Sequence, residues 1–166
     1  MNDPIQIDRP CVGRIAERLI DRRQTLAVAE SSAGGLMSAA LLSVAGASAY
    51  FLGGGVIYTG RARETLLGIT PGMLGNVQSA TEAMALLQAG AIRERLGADW
   101  GLAETGASGP GGNRYGDAAG HCCVAVVGAR EASRTLETGS ADRTANMTRF
   151  VNAAFALLDE MLGEKA

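Results

Sequence analysis

A short segment that combines an acid, two hydroxyls and two glycines is the first candidate site. Residues 30–35 read Glu-Ser-Ser-Ala-Gly-Gly and lie between a short apolar run and a helical pattern. Backbone N–H groups at such a strand-to-helix turn lack helical partners and, with the helix dipole, attract an anion. Ser31 in that position is a candidate nucleophile whose oxyanion the same amides would stabilise. The alternative is that Ser31 or Ser32 is an ordinary helix N-cap.

A second candidate site is the Gly-rich stretch 105–114, which reads Thr-Gly-Ala-Ser-Gly-Pro-Gly-Gly-Asn-Arg. Glycines let a backbone approach a ligand closely and display several N–H groups together, and Arg114 can bind a phosphate or carboxylate through two nitrogens. The alternative is a flexible surface loop, although a loop this long in a compact domain favours function. We predict ligand contacts from Ser32, Gly34, Gly35, Tyr58, Thr105, Gly106, Ser108, Gly109, Gly111, Gly112, Asn113 and Arg114.

The sequence offers very few bases for proton transfer. It contains one histidine, His121, and one lysine, Lys165, next to the C-terminus. A site built around Ser31 has His121 as its candidate base, oriented by Asp117 or Glu104. The alternatives are that His121 is a strand-end residue bonded to backbone, and that Glu104 pairs with an arginine.

The bulk composition limits the classes of function. The 166 residues are 47% hydrophobic and 19% charged, which predicts one domain over residues 1–166 with a sizeable core. The net charge of −2 gives no basic field for nucleic acid. No apolar run is long enough to cross a bilayer and no signal peptide is evident, so we expect a cytoplasmic protein without a membrane partner. The three cysteines lack metal-ligand spacing, and we expect buried free thiols and neither metal nor cofactor.

Helical and strand periodicities alternate along the chain, which predicts an α/β fold with helices on both faces of a mixed, mostly parallel sheet. In an open sheet of this kind, ligands bind beyond the carboxyl ends of the strands, where both candidate segments fall. The predicted helices cover 9–23, 36–44, 61–67 and 81–96 and a last one from about 142, and the predicted strands cover 25–29, 53–58, 100–103, 122–127 and 134–137.

The same segments resemble the CinA C-terminal domain family. Residues 29–35, Ala-Glu-Ser-Ser-Ala-Gly-Gly, are similar to its Ala-Glu-Ser-Cys-Thr-Gly-Gly signature. Residues 46–51, Gly-Ala-Ser-Ala-Tyr-Phe, resemble its Gly-Ser-Ser-Ala-Trp/Tyr-Phe segment, and 106–110, Gly-Ala-Ser-Gly-Pro, resemble Gly-Ile-Ala-Gly-Pro. The matches occur in family order over nearly the whole chain.

The resemblance implies a three-layer α/β/α sandwich, often assembled into oligomers, so we expect a homo-oligomer. It also implies a metal-independent nicotinamide-nucleotide amidase. Active members hydrolyse the carboxamide of nicotinamide mononucleotide to the acid and release ammonia. The family nucleophile corresponds to Ser31, and the family pairs it with a lysine.

The position of the family lysine is occupied by Arg63, which stays protonated and cannot accept the serine proton. Two hypotheses follow. In the first, Ser31 attacks an amide of a small nucleotide-like substrate, and His121 or Glu104 moves the proton. In the second, the chain is a catalytically silent module that still binds a nucleotide-like anion.

Overall fold

The computed structural model describes residues 6–163 and contains one five-stranded sheet in the order β2-β1-β3-β4-β5. β1 pairs in parallel with β2 and β3, whereas β4 is antiparallel to both β3 and β5. Four of the five strands therefore run in one direction, which confirms the mixed, mostly parallel sheet. The strands are β1 (Leu26–Glu30), β2 (Phe51–Val56), β3 (Trp100–Ala107), β4 (His121–Val127) and β5 (Glu131–Glu137).

The helices form a layer on each face of this sheet and confirm the three-layer α/β/α sandwich. α1, α2 and α6 pack on one face, and α5 packs on the other. α3 continues directly into a π-helical turn, Arg63–Leu67. The helices are α1 (Arg9–Arg22), α2 (Leu36–Leu42), α3 (Gly60–Ala62), α4 (Pro71–Leu74), α5 (Glu82–Leu96) and α6 (Arg143–Gly163).

Alternation along the strands gives the two faces different side chains. Leu26 and Val28 of β1 enter the larger core under α1, α2 and α6, whereas Ala27 and Ala29 face α5. The two adjacent cysteines of β4 also separate, with Cys122 in the larger core and Cys123 under α5. Small residues on the α5 side let that helix approach the sheet more closely than large side chains would allow.

α5 approaches the sheet closely at Gly101 in β3. A Cβ atom placed there would lie 2.0 Å from the Ala89 carbonyl oxygen and 2.8 Å from Arg93 Cβ. No side chain fits between the strand and the helix backbone at this point. Gly101 therefore fixes the distance between α5 and the sheet.

Three predicted strands need corrected boundaries, one of them β5, which begins at Glu131, three residues before the predicted start. β3 continues to Ala107 instead of ending at residue 103, because its last residues pair with β4 down to Ala107 opposite His121. This ladder keeps Thr105 and Gly106 in a strand, although the glycine-rich composition favoured a loop. β2 begins at Phe51 and ends at Val56, two residues earlier than expected at both ends. Lys165 lies outside the described residues.

Among residues 6–163, no helix is both long enough and apolar enough to span a membrane.

We predict that Gly101→Ala lowers the free energy of unfolding by about 2 kcal/mol or more, because the added methyl group must push α5 off the sheet. The matched control is Gly90→Ala, in the same helix, where a Cβ atom meets nothing within 4 Å. That change should be neutral or stabilise by about 0.5–1 kcal/mol, since alanine favours a helix interior. Urea unfolding of the two variants and the wild type measures both effects. Equal stability of Gly101→Ala and wild type would contradict the close approach.

Candidate functional site

A pocket of about 470 Å³ opens at the carboxyl ends of the three parallel strands β1, β2 and β3. This is the edge of the sheet beyond which we expected a ligand to bind. The pocket collects residues from the β1–α2 turn, the segment after β2, the π-helical turn, α5, the end of β3 and the Gly-rich loop. Its lining is Ser31, Ile57, Tyr58, Thr59, Gly60, Arg63, Ser79, Ala80, Gln88, Thr105, Gly106, Asn113, Arg114 and Tyr115.

Ser31 lines the pocket on a turn that is fixed by hydrogen bonds to the side chain of Glu104. Its N–H donates to Glu104 Oε2 at 3.0 Å, and the Ala33 N–H donates to the same oxygen at 2.8 Å. The Ser32 hydroxyl donates to Glu104 Oε1. Ser32 is thus a buried partner of Glu104 and does not line the pocket, as we had expected it to do.

Glu104 is fully buried and lies outside the pocket. With β3 extended to Ala107, Glu104 shares the parity of Trp100 and Leu102 and faces the larger core, whereas Thr105 faces the pocket. Burial raises the pKa of Glu104, although its hydrogen bonds from Ser32, Ala33 and Ser31 favour the charged form. Glu104 therefore fixes the turn beneath Ser31, and its side chain is not accessible to a ligand in the pocket.

Glu30 fills the remaining amide donors of the same turn. Its carboxylate accepts hydrogen bonds from the N–H groups of Gly35 at 3.0 Å, Met37 at 2.9 Å and Ser38 at 2.8 Å. The Gly34 N–H donates to the Ser31 carbonyl. Neither Gly34 nor Gly35 lines the pocket, and the Glu30 carboxylate occupies amide donors of the helix N-terminus that we expected to bind an anion.

Arg63 lines the pocket from the first residue of the π-helical turn. Its Nη1 lies 3.4 Å from Ser79 Oγ and 3.7 Å from Met84 Sδ, and its buried Nε has no hydrogen-bond partner among the described residues. The guanidinium is therefore anchored at one end and has a free donor at the other. It brings a permanent positive charge to the same pocket as Ser31.

His121 does not enter the pocket. Its Nδ1 contacts Glu137 Oε1, and its Nε2 lies 2.8 Å from the Ala80 carbonyl oxygen and 3.8 Å from Asp117 Oδ2. Both ring nitrogens are thus engaged, which agrees with the alternative that His121 is a strand-end residue bonded to backbone. Ala80 has a φ of +57°, and its N–H donates to Thr105 Oγ1, so His121 and Thr105 hold a strained residue of the pocket wall from both sides.

The Gly-rich stretch 105–114 reaches the pocket through its two ends, Thr105 and Gly106 at the start and Asn113 and Arg114 at the end. Asn113 Oδ1 accepts the N–H groups of Tyr115 and Asp117, and its Nδ2 donates to Asp117 Oδ2 at 2.7 Å. This small ring of hydrogen bonds projects Arg114 and Tyr115 toward the rim, where Arg114 Nη2 donates to Tyr115 Oη at 3.0 Å.

Two glycines of this loop allow close packing against neighbouring backbone. A Cβ atom at Gly112 would meet the Asp117 carbonyl oxygen at 2.1 Å, and one at Gly109 would meet that of Ala141 at 2.7 Å. The Gly109 carbonyl accepts Arg143 Nη1. Contrary to expectation, Ser108, Gly109, Gly111 and Gly112 do not line the pocket.

The structure thus unites seven of the predicted residues in one pocket and adds several that sequence reasoning missed. Gln88 is the clearest addition: it is only 2% exposed and lies on a helix face that is otherwise apolar. A polar residue at a core position of α5 was the available signal. The seven are Ser31, Tyr58, Arg63, Thr105, Gly106, Asn113 and Arg114.

Within the part of the chain that the structure describes, no three His, Cys, Asp or Glu side chains cluster closely enough to hold a metal ion.

The His121 contacts predict a pH dependence of stability. Burial opposes the charged ring, but Glu137, the Ala80 carbonyl and Asp117 outweigh it and raise the pKa of His121. The folded state therefore binds this proton more tightly than the unfolded chain, whose pKa is about 6.5. The stabilisation is fully present below that value and is lost as the pH rises through the raised pKa.

We expect the wild-type free energy of unfolding to fall as the pH rises above about 6.5, and the His121→Gln variant to show a flatter profile. Urea unfolding at closely spaced pH values measures this difference. Since the chain has one histidine, no other imidazole contributes to the slope. An equally steep profile in the variant would disprove the assignment.

The chain is similar in sequence to known proteins. Residues 8–162 match the family model of the CinA C-terminal domain. A CinA-like protein of Chloroherpeton thalassium is 34% identical over 160 residues, which cover 93% of this chain and 38% of that protein. A CinA-like protein of Synechococcus sp. (strain RCC307) is 40% identical over 69% of this chain and 27% of its own length. The chain thus spans less than two-fifths of these curated relatives.

Solved structures agree with this match over nearly the whole fold. The competence damage-inducible protein A (ComA) of Klebsiella pneumoniae has a TM-score of 0.90 and 26% identity, with 97% of this chain and all of that chain covered. The competence/damage inducible protein CihA of Agrobacterium tumefaciens has a TM-score of 0.87 and 26% identity over 99% and 98% of the two chains. From the fold, the pocket-forming turns and these matches together, the chain belongs to the CinA C-terminal domain family.

Proposed function

We propose that this chain binds a small, anionic, nucleotide-like ligand in the pocket bordered by Ser31, Arg63 and Arg114. The observation behind this proposal is the charge of the lining. Among the described residues, the pocket wall contains two arginines and no aspartate, glutamate, histidine or lysine. Such a wall attracts phosphate or carboxylate, because each guanidinium presents several donors and keeps its charge at any physiological pH.

The distribution of exposure along the wall supports a ligand of two parts. Tyr58 and Tyr115 are 62% and 38% exposed and stand with Arg114 at the open side, whereas Gln88 is 2% exposed at the closed side. A phosphate fits the cationic rim, where solvent reaches it, and a flat ring fits between the tyrosines and the closed end. A mononucleotide contains both of these parts, a phosphate and a flat ring.

The pocket is better suited to binding than to base-assisted catalysis. The two predicted bases are committed elsewhere, since Glu104 accepts three hydrogen bonds inside the core and both ring nitrogens of His121 are engaged. General-base assistance is worth about 10²–10⁴ in rate, so its absence separates a binding module from an efficient hydrolase.

A second candidate function is nicotinamide-nucleotide amide hydrolysis, the activity that the family resemblance implies. Two observations favour it: Ser31 lines the pocket, and Tyr115 lines it too. The hydrogen bond from Arg114, a further one with Ser79 and the charge of Arg63 lower the pKa of Tyr115. In this candidate, Ser31 attacks the carboxamide carbon and Tyr115 takes the hydroxyl proton and passes it to the departing ammonia. Water then releases the acid and restores Ser31.

The binding proposal predicts that Arg114→Ala weakens the affinity for nicotinamide mononucleotide and for ribose 5-phosphate by about three- to tenfold, the usual range for one lost hydrogen-bonding group. Isothermal titration calorimetry measures the change. The control is Arg61→Ala, which removes the same charge from an exposed residue outside the pocket. No heat and no thermal shift with either ligand on the wild type would refute the proposal.

The two candidate functions differ in their products. If the chain hydrolyses the amide, wild-type protein releases ammonia from nicotinamide mononucleotide, and Ser31→Ala stops this release without abolishing binding, because the turn is held through the Ser31 backbone. If the chain only binds, no ammonia appears and Ser31→Ala changes little. A coupled ammonia assay distinguishes them, and Ser43→Ala, on an exposed helix end away from this pocket, is the matched control.

A further inference from the structure

Two side chains that line the pocket each carry a buried polar atom with no partner among the described residues. Among the described residues, three buried side-chain nitrogen or oxygen atoms form no hydrogen bond: Arg63 Nε, Gln88 Oε1 and Ser108 Oγ. Arg63 and Gln88 line the same pocket. Buried polar groups in folded proteins are almost always hydrogen-bonded, so an unpaired donor and an unpaired acceptor in one cavity need an explanation.

Gln88 is out of place if its only role is structural. The other buried residues of α5 are Met84, Ala85, Ala89 and Ile92, all apolar. An unpaired buried amide oxygen destabilises the free protein, and a methionine of similar volume would pack there without that cost. A polar group retained at the expense of stability is typical of a binding site.

The two side chains are linked through Met84. Arg63 Nη1 lies 3.7 Å from Met84 Sδ, and Met84 precedes Gln88 by one helical turn on the same buried face of α5. Since Arg63 and Gln88 both line the pocket, its wall contains side chains with an unpaired N–H donor and an unpaired carbonyl acceptor. A ligand group that carries an acceptor beside a donor matches this pair, and a primary amide is such a group.

We propose that Gln88 determines the specificity of this pocket: Gln88 Oε1 accepts a hydrogen bond from an amide N–H at the buried end of the ligand, and Arg63 Nε donates one to the amide oxygen. The inference rests on the proposed binding function and adds to it the group that the closed end recognises. A carboxylate offers oxygen acceptors to Arg63 but no N–H to Gln88 Oε1, so this oxygen favours the amide over the acid.

The test compares an amide with the corresponding acid. Affinities for nicotinamide mononucleotide, nicotinic acid mononucleotide and ribose 5-phosphate are measured by titration calorimetry on the wild type and on Gln88→Met. We expect Gln88→Met to weaken binding of the amide about tenfold, as loss of one buried hydrogen bond would, and to change the other two affinities less than twofold. If the wild type shows turnover, the titrations are repeated in the Ser31→Ala background.

A stability measurement separates recognition from a structural role. We expect the melting temperature of unliganded Gln88→Met to equal or exceed that of the wild type, because the unpaired amide is gone. A structural glutamine would instead lower it. Gln78→Met is the control, since Gln78 is exposed, lies just before α5 and does not line this pocket.

The possible failures are distinguishable. If the amide and the acid weaken alike in Gln88→Met, or neither weakens, the specificity role is overturned while the binding function stands. If the wild type binds none of the three ligands, including ribose 5-phosphate, which has no amide, both the binding function and the role of Gln88 are overturned.

Discussion

The site depends on two buried carboxylates that hold the turn after β1. Glu104 accepts the N–H groups of Ser31 and Ala33, and Glu30 accepts those of Gly35, Met37 and Ser38. Carboxylates accept amide hydrogen bonds strongly at low dielectric, so the turn is fixed without help from a ligand. Because both acids are used in this way, the pocket wall receives its charge from Arg63 and Arg114 and is cationic.

The shape of the pocket follows from how closely α5 lies on the sheet. Gly101 and the alanines of β1 leave room for the helix backbone, and the helix then carries Gln88 into the wall of the cavity. The packing of α5 on the sheet thus also buries the side-chain amide of Gln88 away from solvent. The π-helical turn opposite brings in Arg63, so the polar groups of the closed end come from rigid segments.

The chain's single histidine supports the wall without touching the cavity. Thr105 Oγ1 accepts the Ala80 N–H, and His121 Nε2 contacts the Ala80 carbonyl oxygen. Ala80 has a positive φ, which alanine adopts only when its surroundings hold it there. The antiparallel pair β3–β4 supplies both residues, whereas the parallel strands supply Ser31 and the segment with Tyr58. The parallel strands of the mixed sheet therefore lead to residues that line the pocket, and the antiparallel pair β3–β4 carries the residues that support its wall.

The sequence by itself determined the layers, the mixed, mostly parallel sheet and the edge of the sheet where the pocket opens. Those features follow from hydrophobic periodicity, glycine placement and the rule that parallel strands end at one edge, all of which are local or pairwise. It also placed Ser31, Arg63 and Arg114 correctly in one cavity. Only the tertiary structure decided what Glu104, His121 and Gln88 do. The pairing of β3 with β4 continues past residue 103, and Glu104 faces the larger core. Glu137 of β5 and the Ala80 carbonyl engage the two ring nitrogens of His121. The contact of α5 with the sheet leaves Gln88 Oε1 without a partner among the described residues. Each outcome depends on partners distant in sequence, which residue type and spacing do not encode.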